Sequence, residues 1–185
     1  MKTSFFNLNR KVFSTTFSTL FKYSDPTNPK VFFKVSKNNT ELGNLVFELY
    51  KNKSPLTVQR FMSLCSPQNT QQPSYKNSVI NRITKGFCLQ GGSSQELSNI
   101  NYFPDENLNL KHTKRGVLTM DNSGPDTNST RFMITFTESP WLDGYHNVLG
   151  EMVEGENVLS EIENSGTREG TPNAEIRIVE CGNLV

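Results

Sequence analysis

The sequence predicts a mostly β domain, arranged either as a barrel or as a sandwich. Three observations support this prediction. Short segments rich in β-branched and aromatic residues recur along the chain, turn residues separate them, and only two segments carry a helical apolar period. The 185 residues include thirteen phenylalanines, enough for one domain with a sizeable core. The pattern alone does not choose between the two architectures.

The predicted strands follow one another in the manner of antiparallel neighbours. Residues 31–36 and 42–50 are predicted to form a hairpin, because the turn sequence KNNT separates them. The remaining predicted strands are, in order, a segment around Ile80, a segment around Leu89, and residues 116–120, 131–136, 148–153 and 175–181.

Two helices are predicted. The first covers residues 54–65, with Ser54 as its N-cap and Pro55 in the first helical position. Its apolar stripe consists of Val58, Phe61, Met62 and Cys65, which are spaced i, i+3, i+4 and i+7. The second covers residues 156–163, with Val158, Leu159 and Ile162 facing inward.

The composition disfavours several classes of function. With a net charge of +1, the chain does not show the basic bias of a nucleic-acid-binding domain. The sequence contains no run of 18 apolar residues, which argues against a membrane span. Cys65, Cys88 and Cys181 lie far apart in the sequence, which argues against a disulfide framework or a zinc site and fits a reducing compartment. Two histidines are too few for a histidine-rich metal centre.

Residues 1–30 are predicted to be a basic extension that precedes a domain of residues 31–185. The first 24 residues hold four basic residues, no acid, and many Ser, Thr and Phe residues, a composition typical of a mitochondrial transit peptide. The alternatives are a disordered basic tail and an arm retained against a partner, such as a subunit of a larger mitochondrial complex. We therefore expect a mitochondrial location, and otherwise a cytoplasmic one.

The stretch INRITKGFCLQGG, residues 80–92, places polar residues in a hairpin that otherwise looks apolar. Arg82 lies inside the first segment and Gln90 lies in the second. An arginine in a β-strand is ordinarily a solvated outer residue. The alternative is that Arg82 belongs to a surface site.

Four motifs bear on this choice: FCLQGG, ENLNLKHT, GPDTNSTRFMITF and WLDGYHNVLGEMVEG. Their order and spacing resemble those of the cyclophilin family of peptidyl-prolyl isomerases, over residues 31–184. The resemblance implies a closed eight-stranded antiparallel barrel capped by two helices. It also implies a groove on the outside of the barrel that acts on proline-containing protein segments, with no cofactor and no metal.

The resemblance assigns Arg82 the catalytic role, beside a shallow apolar pocket for proline. Gln90 matches a glutamine that hydrogen-bonds and steadies this arginine. Asn122 matches a backbone position that holds the substrate. The other predicted substrate-binding residues are Phe87, Met133, Trp141, Leu142 and His146.

Several groove positions depart from the common cyclophilin pattern, namely Asn81, Cys88, Asp121, Ser123, Arg131 and Met133. Met133 stands in place of a phenylalanine, so we expect a less rigid pocket wall. Asp121 has two candidate partners. Pairing with Arg82 would engage the catalytic guanidinium, whereas pairing with Arg131 would leave it free. Asp121, Asp143 and Glu138 are interpreted as loop or surface acids rather than as a catalytic pair.

Three functions are compatible with these residues. The first is an isomerase that acts on X–Pro bonds during protein folding. The second is a cyclophilin-like structural or binding subunit of a large mitochondrial assembly, with weak or no isomerase activity. The third is a groove that binds proline segments without turning them over. We favour the first.

Overall fold

The computed structural model describes residues 23–66, 73–93 and 101–184. Within them the chain forms eight strands and two helices. The strands are β1 Lys30–Lys37, β2 Thr40–Leu49, β3 Arg82–Thr84, β4 Cys88–Gly91, β5 Val117–Met120, β6 Phe132–Thr135, β7 Val148–Glu154 and β8 Ile176–Leu184. The helices are α1 Pro55–Cys65 and α2 Glu156–Asn164, and a short 3-10 helix covers Pro140–Leu142. No helix of this described part is long and apolar enough to cross a membrane.

The predicted hairpin is confirmed. β1 pairs with β2 in antiparallel register, with Lys37 opposite Thr40. The two residues between them, Asn38 and Asn39, have φ angles of 48° and 66°. Positive φ at both central residues matches the twist of a two-residue hairpin, and asparagine tolerates this conformation better than most residues do.

All eight strands form one antiparallel sheet in the order β3-β4-β6-β5-β7-β2-β1-β8. The prediction of a closed barrel is wrong, because the sheet curls into a half-barrel whose edge strands β3 and β8 do not pair with each other. The outer edge of the three-residue strand β3 is occupied by another segment, since the Ile83 amide donates to the Gly170 carbonyl at 2.9 Å. Residues 77–80 border β8 instead, where Ile80 donates to Ile176 at 2.9 Å.

The core fills the concave side of the sheet. Its centre is an aromatic cluster in which Phe33 contacts four other rings, those of Phe47, Phe61, Tyr75 and Phe132. Both predicted helical stripes face this core. Val58, Phe61 and Cys65 are buried and Met62 is partly buried in α1, and Val158, Leu159 and Ile162 are buried in α2.

The start of α1 differs from the prediction. Pro55 occupies the first turn as expected, but the buried Ser54 hydroxyl has no hydrogen-bond partner among the described residues. Glu106 caps the helix instead. Its carboxylate accepts hydrogen bonds from the backbone amides of Leu56 at 3.0 Å and Thr57 at 2.8 Å. A charged carboxylate with two oxygens satisfies two free amides and complements the positive end of the helix dipole, which a single hydroxyl cannot do.

Residues 23–29 are fastened to the body of the domain. The buried carboxylate of Glu48 accepts hydrogen bonds from the Ser24 hydroxyl, the Asp25 amide and the Asn28 side chain at 2.8–2.9 Å. Burial opposes the charge of Glu48, but these donors outweigh it and lower the pKa of the carboxylate. Tyr23 packs edge-on against Tyr50. The predictions made for residues 1–22 lie outside the described residues.

Candidate active site

The convex face of the sheet carries a row of side chains across four neighbouring strands, here called the outer-face row. The pairing places Arg82 of β3 opposite Gln90 of β4, Gln90 opposite Met133 of β6, and Met133 opposite Thr119 of β5. The adjacent inward row is apolar and buried, and consists of Ile83, Leu89, Ile134 and Leu118. Since side chains alternate between the faces of a strand, burial of the inward row turns the other four residues outward.

A small apolar cluster, separate from the main core, lies on this outer face. It comprises Cys88, Met133 and Leu142, with Phe87 packed against it. Met133 is only 3% exposed, so its side chain forms the floor of the cluster rather than an open wall. Trp141 is 58% exposed and its ring lies 5.7 Å from that of Phe87, which gives the cluster an aromatic rim.

Arg82 lies at the end of the outer-face row, separated from Met133 by Gln90, and is exposed. Its Nε donates to the Thr84 hydroxyl at 3.3 Å, and its stem passes close to the backbone of Gly170. Among the described residues, its two terminal nitrogens have no hydrogen-bond acceptor and the guanidinium has no ion-pair partner. A charged group with free donors is therefore available to a ligand at this point.

Gln90 does not hydrogen-bond to Arg82, contrary to what the resemblance implies. Its amide nitrogen donates instead to the Asp121 carboxylate at 3.3 Å. An ionised oxygen is a stronger acceptor than a neutral one, so the presence of an acid at position 121 redirects the amide. Thr84 and Gly170 take over the positioning of Arg82 in this structure.

The open question about Asp121 is resolved in favour of Arg131. The Asp121 carboxylate lies 3.7 Å from Arg131 Nε, and Arg131 also donates to the Ser123 hydroxyl at 2.7 Å. Burial raises the pKa of Asp121, although Arg131, His146 and Gln90 act in the opposite direction. The two charged replacements thus pair with each other beside the groove and leave Arg82 free.

The main chain of residues 120–123 forms the far side of the groove. His146 Nδ1 lies 3.1 Å from the Met120 carbonyl oxygen, and the Asn122 side chain donates to the Tyr145 carbonyl at 2.7 Å. The backbone amide and carbonyl of Asn122 have no hydrogen-bond partner within the described residues. These free groups can pair with an extended peptide in the way that a strand edge does.

A family model described as cyclophilin type peptidyl-prolyl cis-trans isomerase/CLD matches residues 32–183 of this chain. The chain belongs to the cyclophilin family. The match covers both helices and nearly all of the sheet, so the fold is that of a cyclophilin domain.

The cyclophilin groove contains all eight predicted site residues in or around one patch. Arg82, Gln90 and Met133 share the outer-face row, Phe87 and Leu142 pack in the cluster that contains Met133, and Trp141 lies against Phe87. Asn122 and His146 line the far side. The structure brings these residues together, and their roles in binding and catalysis stay predictions.

Sequence reasoning missed the inward orientation of two acids in this cyclophilin, Asp121, whose side chain is 15% exposed, and Asp143. Asp143 lies in a loop, as interpreted, but its side chain is 19% exposed and accepts a hydrogen bond from the buried His112. Both residues belong to motifs that carry the family resemblance, KHT and WLDG. A histidine that needs a buried partner is the signal that could have linked these motifs.

Gly170 provides the first test of the groove. A β-carbon at this position would lie 2.6 Å from Arg82 Nε, and the φ of +96° strains any other residue. We expect Gly170→Ala to displace Arg82 and lower kcat/KM for an X–Pro peptide by at least about tenfold, since small misplacements of a catalytic group are costly. A coupled peptide assay measures the change.

Gly86→Ala is the matched control for Gly170→Ala. Gly86 has a similarly positive φ of +78°, but no atom lies within 4 Å of a β-carbon added there. We expect it to lose stability through backbone strain and to keep its kcat/KM. Equal activity losses in the two variants would show that strain, rather than contact with Arg82, is responsible.

Proposed function

We propose that this cyclophilin is a peptidyl-prolyl cis-trans isomerase acting on X–Pro bonds of protein segments. The observation that supports it most is the exposed guanidinium of Arg82, which shares the outer-face row with Met133 of the apolar cluster and lacks an ion-pair partner among the described residues. This combination suits a ligand that is apolar on one side of a bond and a hydrogen-bond acceptor on the other.

The reaction requires only that the enzyme favour a twisted amide. Rotation about the X–Pro bond has a barrier of about 18–20 kcal/mol because the nitrogen lone pair is conjugated with the carbonyl. The cis and trans forms differ by only about 0.5–1 kcal/mol, so the barrier limits the exchange. A group that binds the twisted amide more tightly than either planar form accelerates exchange in both directions.

Arg82 can supply this preference. As the bond twists, the proline nitrogen regains its lone pair and becomes an acceptor. A guanidinium remains charged and holds its donors in a rigid plane, so it can donate to this nitrogen or to the adjacent carbonyl. The planar ground states offer a weaker acceptor at the nitrogen, and the interaction therefore strengthens in the transition state.

The apolar cluster and the Asn122 backbone would hold the two sides of the substrate. The proline ring would pack on Met133 and Leu142 under the rim of Phe87 and Trp141. The free amide and carbonyl of Asn122 would pair with the peptide main chain. With both sides held, the carbonyl that precedes the proline is the group that rotates.

Exchange spectroscopy by NMR tests this proposal directly. A tetrapeptide with one X–Pro bond shows separate cis and trans signals, and we expect catalytic amounts of the protein to bring them into exchange at rates well above the uncatalysed one. Line broadening without acceleration would support a groove that binds proline segments without turnover. If the protein caused no broadening and no acceleration, both functions would be contradicted.

A structural role in a mitochondrial assembly is the second candidate. It is supported by the anchoring of residues 23–29 on Glu48, which would make the preceding basic segment leave the domain at a defined point. Co-purification with other subunits at fixed stoichiometry, lost when residues 1–22 are deleted, is the expected result. A full-length chain that runs as a free monomer in mitochondrial extracts would contradict it. This role and the isomerase activity are compatible in one chain.

A further inference from the structure

The loop of residues 140–146 carries three of the predicted site residues, Trp141, Leu142 and His146. Only a short 3-10 helix gives it regular structure, and Trp141 is largely exposed on its surface. Gly144 has a φ of +82° and open space around it, and Gly144 and Tyr145 are exposed, so this part of the loop has little packing of its own. Something other than secondary structure must therefore hold the loop against the sheet.

His112 makes the contacts that can do this. Its backbone amide and its ring Nδ1 both lie 2.9 Å from Asp143 Oδ1, and its backbone carbonyl accepts a hydrogen bond from the Ser139 amide at 2.8 Å. One residue thereby binds both the entrance and the middle of the loop. The other ring nitrogen, Nε2, lies 3.1 Å from the hydroxyl of Thr119, a residue of the outer-face row.

This arrangement is largely buried. The His112 and Thr119 side chains are fully buried. Burial lowers the pKa of His112, and the hydrogen bond to Asp143 opposes the change. Because a carboxylate is only an acceptor, His112 Nδ1 carries a proton that points at Asp143. Outside the groove, Lys111 lies 3.8 Å from the other carboxylate oxygen.

We propose that His112 and Asp143 are positioning residues, which together set the place of Leu142 and Trp141 and so the affinity of the groove for proline segments. Asp143 directly follows Leu142 in the chain, so any displacement of its carboxylate moves the pocket wall. The expected effect of these two residues on peptide affinity rests on the proposed function. Neither residue needs to touch the substrate.

Different contacts hold the pocket wall and the guanidinium in this groove. Arg82 lies on β3, whose turn into β4 is held by other contacts, including the Glu163 carboxylate, which accepts from the Gly86 amide at 3.0 Å. Loss of the His112–Asp143 contact should therefore move the pocket wall without moving the guanidinium. A role confined to stability would change neither KM nor kcat in the folded protein.

Asp143→Ala is the test, and Trp141 is its reporter because the chain has only one tryptophan. We expect the KM of an X–Pro peptide to rise at least about tenfold with kcat within about twofold. We also expect the Trp141 emission of the free protein to shift as its packing on Phe87 is lost. Glu138→Ala is the matched control, since it removes an exposed carboxylate from the residues just before the loop, and it should change none of these values.

Two conservative variants complete the test. Asp143→Asn keeps an acceptor oxygen for the His112 amide and should recover most of the affinity. Asp143→Glu keeps the charge but is one methylene longer, so it should raise KM by displacing the loop even if Asp143→Ala does not fold. Unchanged KM and unchanged Trp141 emission in either Asp143→Ala or Asp143→Glu would overturn the proposal. The emission and the peptide affinity report on the loop even if the wild-type protein proves to have no isomerase activity.

Discussion

Replacing Arg82 with alanine is expected to lower kcat/KM for an X–Pro peptide by about 10²–10³. This is the range observed when one preorganised donor to a developing acceptor is removed from an active site. The wild-type guanidinium is exposed and lacks an ion-pair partner among the described residues, so nothing in its surroundings depends on it for charge balance. We therefore expect the thermal stability of the variant to be close to that of the wild type, and a coupled peptide assay or exchange NMR measures the activity.

Arg82→Lys sharpens this test. Lysine keeps the charge but lacks the planar array of donors, so it should recover only part of the lost activity. Arg60→Ala is the control, because it removes an exposed arginine of α1 whose guanidinium lies over the Phe103 ring, 4.7 Å from its centroid, away from the groove. Full activity in Arg82→Ala would remove the assigned role of Arg82, and a comparable loss in Arg60→Ala would point to a general effect of net charge.

The outer-face row shows how far the sequence could predict this site. Strand alternation fixes which side chains face outward, and family motifs with their spacing identify the strands, so the patch containing Arg82, Phe87 and Met133 follows from the sequence alone. The hydrogen-bond partner of Gln90 does not follow, because it depends on the rotamers of side chains on β4 and just beyond the ends of β5 and β6. The same holds for the choice of Arg131 over Arg82 as the partner of Asp121.

Two features of the fold could not be predicted from the hydrophobic pattern of the sequence: whether the sheet closes, and which residue caps α1. Whether the sheet closes depends on which segments occupy the outer edges of β3 and β8, and these belong to irregular connections without periodicity. The cap of α1 comes from Glu106, about fifty residues away from the helix start. Local rules correctly placed the helix and its proline, but a long-range carboxylate replaced the local hydroxyl.

The charged replacements in the groove compensate one another. Asp121 alone would attract the guanidinium of Arg82, and Arg131 alone would repel it. Together they lie 3.7 Å apart, and the remaining polar contact of Asp121 goes to Gln90. The site can thus depart from the common family pattern at several positions and still present one free arginine beside an apolar cluster.

The largest expected effect on stability comes from Phe33, and it reaches the groove through the core. Phe33 is buried, with 1% of its surface exposed, and its ring lies 5.5 Å from that of Phe132, which precedes Met133 on β6. Phe33→Ala should lower the free energy of unfolding by about 3–5 kcal/mol, because the removed ring leaves a cavity among four aromatic neighbours that cannot all collapse into it. Urea unfolding followed by circular dichroism measures the change.

Leu56→Ala is the control for Phe33→Ala. Leu56 is 66% exposed at the start of α1, so its removal should change the free energy of unfolding by less than about 0.5 kcal/mol. A loss below about 1 kcal/mol in Phe33→Ala would mean that the cluster repacks freely. Because Phe132 and Met133 are consecutive on one strand and face opposite sides, a core that repacks must also shift the floor of the groove. We therefore expect peptide affinity to fall in Phe33→Ala under conditions where the variant is still folded, which links the packing of the concave face to binding on the convex one.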